Sequence, residues 1–160
     1  MVGGIVEQYD YDKMFPLYGF GGVDKFNGGT KVNHCFPLNG NPQKPFVQGV
    51  AGILGTYRQT LPNIKFSGPT YFGPILETFL NHCKQQFGKP NYNVLLILTD
   101  GTIHDMPKTK QLLVDLSAMP CSVIIVGLGD ADFDNMEVLD GDSPNCLKDD
   151  TGRPCLRDIV

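Results

Sequence analysis

Residues 93–101 read Asn93-Val94-Leu95-Leu96-Ile97-Leu98-Thr99-Asp100-Gly101, and the fold is decided on this stretch. Val94–Leu98 is apolar throughout, with no polar residue at alternate positions. A strand covered by helices on both faces has that pattern, because neither face meets water. The run ends on a polar residue, a carboxylate and a turn former. In open α/β sheets ligands gather at the carboxyl ends of strands, which puts Asp100 on the functional edge. The competing reading is local: an aspartate here caps the following turn through its own side chain.

Working outward, Thr102–Met106 reads as a loop. Asp105 is placed to cap a helix that takes Pro107 in its first turn, runs to about Ala118 and buries Leu112, Leu113 and Leu116. Cys121–Gly127 repeats the continuous apolar pattern of a buried strand. Asp132–Leu139 predicts a short helix with Phe133, Met136 and Leu139 inward, and from Gly141 the chain is polar and turn-rich until Ile159-Val160. Upstream, Tyr71–Phe87 predicts a helix striped by Phe72, Ile75, Leu76, Phe79, Leu80, Cys83 and Phe87. Pro74 sits in its tolerated first turn and Gly88 stops it.

Phe46–Leu61 has apolar residues at the same helical spacing and ends at Pro62, with Ile64–Pro69 as a connector. Before it, Lys13–Gly22 predicts a strand, Asp24–Asn33 a turn, and His34–Leu38 a short edge strand broken by Pro37. The short link favours an antiparallel hairpin between the two strands, and Asn39–Pro45 is a loop. Gly3–Asp10 reads as the tail of an amphipathic helix. The alternation over residues 46–140 predicts one α/β domain, doubly wound, with a mostly parallel sheet flanked by helices and an antiparallel hairpin at its edge.

Composition narrows the function classes. A chain of 160 residues, 41% hydrophobic, is one domain's worth with room for a substantial core. Its longest apolar runs are too short to span a bilayer, and residues 1–8 lack the regions of a signal peptide. A net charge of −4 without a basic cluster argues against nucleic acid or an anionic membrane surface as a direct partner. Cys35, Cys83, Cys121, Cys146 and Cys155 form no Cys-x-x-Cys pair, against a structural zinc site. With no Asn-x-Ser/Thr acceptor either, a reducing, cytoplasmic setting is expected.

Most motif readings fail on their spacing. Asp130, Asp132 and Asp134 alternate as in a calcium loop, but Asn135 stands where that loop needs glycine and Gly141 where it needs glutamate. There is no Gly-x-Ser-x-Gly elbow and no Ser/His or Cys/His signature. Gly19-Phe-Gly-Gly and Gly127-Leu-Gly do not match phosphate-binding loops. One constellation survives. Ser67-Gly68-Pro69-Thr70 precedes a helix and Thr99-Asp100-Gly101 ends a strand, so both face the same sheet edge. A threonine hydroxyl and one carboxylate suit a hard cation that keeps several waters, such as magnesium. The alternative is that Thr70 is only the N-cap of its helix. His104, four residues after Asp100, could reach the same ligand or be an ordinary surface residue.

Several blocks add a resemblance. Tyr9-Asp-Tyr-Asp-Lys-Met-Phe-Pro, Gly19-Phe-Gly-Gly, His34-Cys-Phe-Pro-Leu-Asn-Gly and Gly68-Pro-Thr-Tyr-Phe-Gly-Pro-Ile follow one another in order. After them come Leu95-Leu-Ile-Leu-Thr-Asp-Gly, Ser122-Val-Ile-Ile-Val-Gly-Leu-Gly, Phe133-Asp-Asn-Met, Leu139-Asp-Gly-Asp and Arg157-Asp-Ile-Val. In combination these resemble the copine family over nearly the whole chain. The resemblance implies a von Willebrand factor A-like domain, which in copines follows two C2 domains that bind phospholipid in response to calcium. In such A domains a divalent cation is held by an Asp-x-Ser-x-Ser or Asp-x-Thr-x-Ser loop together with one threonine and one aspartate. Thr70 and Asp100 match the last two. Neither loop motif occurs here, so the resemblance implies a domain without its first central strand and metal loop.

The expected function is therefore protein–protein interaction, with no catalysis. Thr70 and Asp100 would form a partial, weak magnesium or manganese site. Gly68, Pro69, Tyr71, Gly101, His104 and Asp105 would form the partner surface. Partners would be intracellular proteins, and calcium and phospholipid would be met only through C2 domains outside this chain. The chain by itself is expected to self-associate. The alternatives are the substrate-binding domain of a copine-related ubiquitin ligase, although no RING cysteine pattern is present, or a metal-dependent hydrolase using Asp100.

Overall fold

The computed structural model describes residues 7–8, 10–25, 28–130, 132–140 and 146–160, and contacts divide the chain into two units, Met1–Gly68 and Pro69–Val160. The helix expected over Gly3–Asp10 falls mostly outside the described residues.

In the first unit, the single strand expected over Lys13–Gly22 is three short ones: β1 (Met14–Pro16), β2 (Tyr18–Gly19) and β3 (Gly22–Asp24). Each pairs antiparallel with a different partner, which breaks the run. β2 pairs with β4 (Phe36–Pro37), the expected hairpin partner, now only two residues long. β1 pairs with β5 (Phe46–Gln48), and β3 with β6 (Ile64–Phe66). Gly21, at φ 68°, makes the turn between β2 and β3 in a backbone region that side-chain-bearing residues rarely adopt.

The helix expected over Phe46–Leu61 is therefore shorter. Its first three residues are β5, in which Val47 is buried opposite Phe15. Helix α1 is Gly49–Thr60, and Leu61–Asn63 continues it as a 3-10 turn containing Pro62. Phe46 and Val47 satisfy the helical stripe and the strand equally, and long-range pairing with Met14–Pro16 decides for the strand. The connector expected over Ile64–Pro69 also contains a strand, β6, for the same reason.

The second unit keeps closer to the pattern. Helix α2 is Gly73–Gln86, strand β7 Asn93–Thr99, helix α3 Met106–Leu116, strand β8 Cys121–Gly127 and helix α4 Asp134–Glu137. β7 and β8 pair in parallel from Asn93↔Cys121 to Thr99↔Gly127, so β7–α3–β8 is a βαβ unit. Among the described residues the strands form four two-stranded ladders, of which only this one is parallel. No strand among them pairs with the second edge of β7.

Continuous apolarity predicted burial on both faces of β7 and β8. One face is covered: Ile97, Thr99, Cys121 and Val123 are buried. Cys83 of α2 meets Cys121 of β8 on that side, and the Cys121 thiol donates to Leu116 O of α3 at 3.4 Å. On the other face Val94 (49%), Leu98 (51%) and Ile124 (43%) remain exposed. Burial and the hydrogen bond to Cys121 raise the pKa of Cys83, with the hydrogen bond the larger cause, so Cys83 is a packed thiol. All described cysteines are free.

Along the outer edge of β8 runs the C-terminus. Val123 N donates to Ile159 O, and the Arg157 guanidinium donates to Met119 O at 2.7 Å and to Cys121 O. Before it, Leu147–Cys155 closes as a short antiparallel loop, bridged at Lys148↔Pro154 and by Cys155 N to Leu147 O at 2.8 Å.

Candidate functional site

The βαβ unit delivers Asp100 to the carboxyl end of β7. Thr99 is buried and its carbonyl accepts from Leu128 N at 2.8 Å, so the loop after β8 is tied to the end of β7. Asp100 itself is exposed, and among the described residues its carboxylate has no hydrogen bond or ion pair. The turn-capping reading of Asp100 therefore does not describe it.

Thr70 comes to the same loop system by a two-way backbone clasp. Its N–H donates to His104 Nδ1 at 3.1 Å, and its carbonyl accepts from His104 N at 2.9 Å. The accepting nitrogen fixes the neutral imidazole as its Nε2–H tautomer. The Thr70 hydroxyl has no partner among the described residues. It does not cap α2 either: the residue at the cap position is Phe72, whose side chain makes no cap bond.

What caps α2 is Asp105, from the other loop. Asp105 Oδ1 accepts from Phe72 N at 2.9 Å and Oδ2 from Gly73 N at 2.7 Å, while the Thr109 hydroxyl donates to Oδ1 at 3.3 Å. A carboxylate bridging two amides at a helix start satisfies donors that the helix cannot, and it meets the positive end of the dipole. The sequence predicts that Asp105 caps its own helix, α3. It occupies that position, but its side chain makes no cap bond there and serves α2 instead. A Cβ on residue 73 would stand 2.8 Å from Asp105 Oδ2 and 3.0 Å from Lys108 Cγ, so only glycine lets the carboxylate approach.

Thus Thr70, His104, Asp105 and the start of α2 are brought together by hydrogen bonds. Asp100 and Gly101 sit on the strand-end side of the same 99–105 loop, Gly101 half-buried. Pro69 and Tyr71 flank Thr70 and are half-buried. Gly68 is exposed and closes the first unit. Among the described residues no group of three or more His, Cys, Asp or Glu is arranged to hold a metal. At this loop system the Thr70 hydroxyl and the Asp100 carboxylate are hard oxygen ligands without a partner among the described residues.

A second carboxylate site has no counterpart in the sequence reading. Asp149 is buried, and its Oδ1 accepts from Thr151 N at 3.0 Å, the Thr151 hydroxyl at 2.6 Å and Arg153 N at 3.0 Å. Oδ2 accepts from Arg153 Nε at 3.0 Å, and Arg153 Nη1 reaches Asp115 of α3 at 2.7 Å. These donors, the Thr151 hydroxyl first, lower the Asp149 pKa to about 2. Asp149-Asp-Thr-Gly-Arg carries the signal of an Asx turn, an aspartate followed two residues on by a donor and then a glycine.

The family model described as Copine matches residues 1–160. The chain belongs to the copine family. It is 42% identical over 163 residues to "Protein BONZAI 1" of Arabidopsis thaliana, and 43% identical over 164 residues to "Protein BONZAI 2" of the same plant. Each match covers 99% of this copine-family chain and 27% of the relative, so the chain spans about a quarter of the length of the curated relatives it matches.

Proposed function

We propose that this chain is a protein-binding module of a copine-like, calcium-dependent phospholipid-binding protein, in which Thr70 and Asp100 offer two donors to a hard divalent cation. The observation that carries the reading is chemical: both groups are polar, adjoin one hydrogen-bonded loop system, and have no partner among the described residues, in a fold that engages both oxygens of the neighbouring Asp105. Magnesium or manganese would bind weakly through two protein donors and complete its shell with water or a partner's carboxylate. Pro69, Tyr71 and Gly101 flank those donors and form the partner surface. Phospholipid and calcium would be met by C2 domains elsewhere in the parent protein, recruited from the cytoplasm. The βαβ unit supports a doubly wound, A-like arrangement for the complete domain, with a further strand on the open edge of β7.

The test is co-precipitation of partners by the full-length parent in magnesium, then in chelator, with Asp100→Ala beside the wild type. Loss of partners in both chelator and mutant is expected, with the fold intact. Unchanged partner binding in the mutant overturns the metal-bridged reading. Turnover of a phosphate or peptide substrate that disappears in Asp100→Asn would favour a hydrolase instead.

The edge of β7 that no described strand pairs, and the half-exposed face at Val94, Leu98 and Ile124, also support self-association of the isolated chain, since unpaired edges template pairing. Light scattering should show oligomers that Leu98→Lys disperses. A clean monomer in the wild type sinks this part of the proposal.

A further inference from the structure

We infer that His104 and Asp105 are positioning residues: together they clasp Thr70–Gly73 to the loop that carries Asp100 and thereby set where the Thr70 hydroxyl stands. This deepens the proposed cation site and rests on that reading for its purpose, but the clasp itself is defined without a cation.

No ladder and no helix includes residues 69–72, so Thr70 has no regular secondary structure to fix it. Both its backbone groups go to one residue, His104, one bond to the ring and one from the main chain. Two residues later the same segment is gripped again, by the Asp105 carboxylate on the consecutive amides of Phe72 and Gly73. Adjacent residues on one loop therefore hold both ends of a four-residue segment on the other. The interval from Phe72 to Asp105 is 33 residues, so the contact is tertiary and exists only when α2 and the βαβ unit are packed.

The two grips differ in exposure. Asp105 is half-buried and shares Oδ1 with Thr109, whereas His104 is exposed. The His104 side chain can therefore be changed without opening a core. Its Nδ1 is used only as an acceptor, and an asparagine Oδ1 can occupy nearly the same place, while alanine offers nothing. A ring that mattered only for filling space would not be replaced by asparagine.

The measurement is amide hydrogen exchange followed by NMR on the 160-residue chain, without added metal. His104→Ala should speed exchange at Thr70 by about tenfold, the loss of one hydrogen bond, with the melting temperature nearly unchanged. His104→Asn should restore the protection. Asp105→Ala should expose Phe72 and Gly73 instead, and Gly73→Ala should do the same by displacing the carboxylate. Retained Thr70 protection in His104→Ala, or no rescue by asparagine, overturns the clasp. If Asp105→Ala fails to fold, the His104 pair still decides. Paramagnetic broadening by manganese is the separate arm: broadening at Thr70 and Asp100 in the wild type that weakens in His104→Ala and returns in His104→Asn supports the positioning role. Absence of broadening in the wild type removes the cation reading and leaves the clasp to be judged on exchange alone.

Discussion

The loop at Leu147–Cys155 and the loop at Thr99–Asp105 both carry aspartates in the second unit, and they treat them in opposite ways. Asp149 is saturated. Its two oxygens take four hydrogen bonds from residues two and four places on, and Arg153 carries the arrangement across to Asp115 of α3. Asp100 is open, exposed and without a partner among the described residues. Asp105 lies between these cases, satisfied by amides from a distant segment. The same side chain is thus a local knot, a tertiary clasp and a free donor within one unit. Residue type does not separate them; only the fate of each lone pair does. A carboxylate that the fold has already satisfied has little left to offer a ligand.

The comparison breaks first at Asp149. Asp149→Ala removes the acceptor of three backbone or hydroxyl donors and frees Arg153 from the loop, leaving a partly buried cluster of unpaired N–H groups. It should give the largest fall in melting temperature of the substitutions considered, several degrees, with NMR shifts concentrated at Thr151, Arg153 and the end of α3. A melting temperature equal to that of the wild type would mean that the Leu147–Cys155 loop is not docked in solution.

A smaller effect sharpens the same point with acid. The folded pKa of Asp149 is lowered to about 2 from the ordinary 3.8. A carboxylate depressed on folding contributes stability that is fully present above its unfolded value and is lost as pH falls through the folded one. The wild type should therefore lose this contribution between about pH 4 and about pH 2. Asp149→Asn should be less stable at neutral pH and show a flatter acid limb over that window. An acid limb identical in mutant and wild type would assign the pH dependence to other carboxylates.

How much of this was legible in the sequence follows the range of the interactions. β7, α3 and β8 declare themselves through local apolar runs and Pro107, and α2 through its stripe from Phe72 to Phe87. Ser67-Gly68-Pro69-Thr70 and Thr99-Asp100-Gly101 likewise mark, from local sequence, the segment before α2 and the end of β7. The first unit reads poorly because its strands are two or three residues long, and each is specified by a partner up to tens of residues away, as Met14–Pro16 is by Phe46–Gln48. Periodicity has no purchase on elements that short. Asp105 stands at the cap position of α3 that the sequence indicates, but its carboxylate serves α2, since a bond supplied from another loop leaves no pattern in adjacent residues. The Asp149 turn is legible in Asp-x-Thr-Gly, but it lies in a polar stretch with no periodic pattern. One-sided burial of β7 could not be read at all, because apolar side chains at Val94 and Leu98 look the same whether covered or bare.

The smallest expected effect is the most informative, and it concerns Asp100. Because its carboxylate is exposed and bonded to nothing described, Asp100→Asn should change folding stability by no more than about 0.5 kcal/mol, the ordinary range for a surface substitution. Asparagine keeps the size of the side chain and one oxygen acceptor, so loop geometry is preserved while the formal charge is lost. A structural aspartate such as Asp149 cannot show that combination, because its charge is what its donors stabilise. A functional one must show it together with a loss elsewhere. Partner binding by the full-length parent in magnesium should fall by about tenfold or more, the scale of one charge-assisted contact. Chemical denaturation of wild type and Asp100→Asn decides the first half, and titration of the partner with and without chelator the second. If Asp100→Asn costs stability on the scale of Asp149→Ala, Asp100 is a second local knot and the contrast between the two loops disappears.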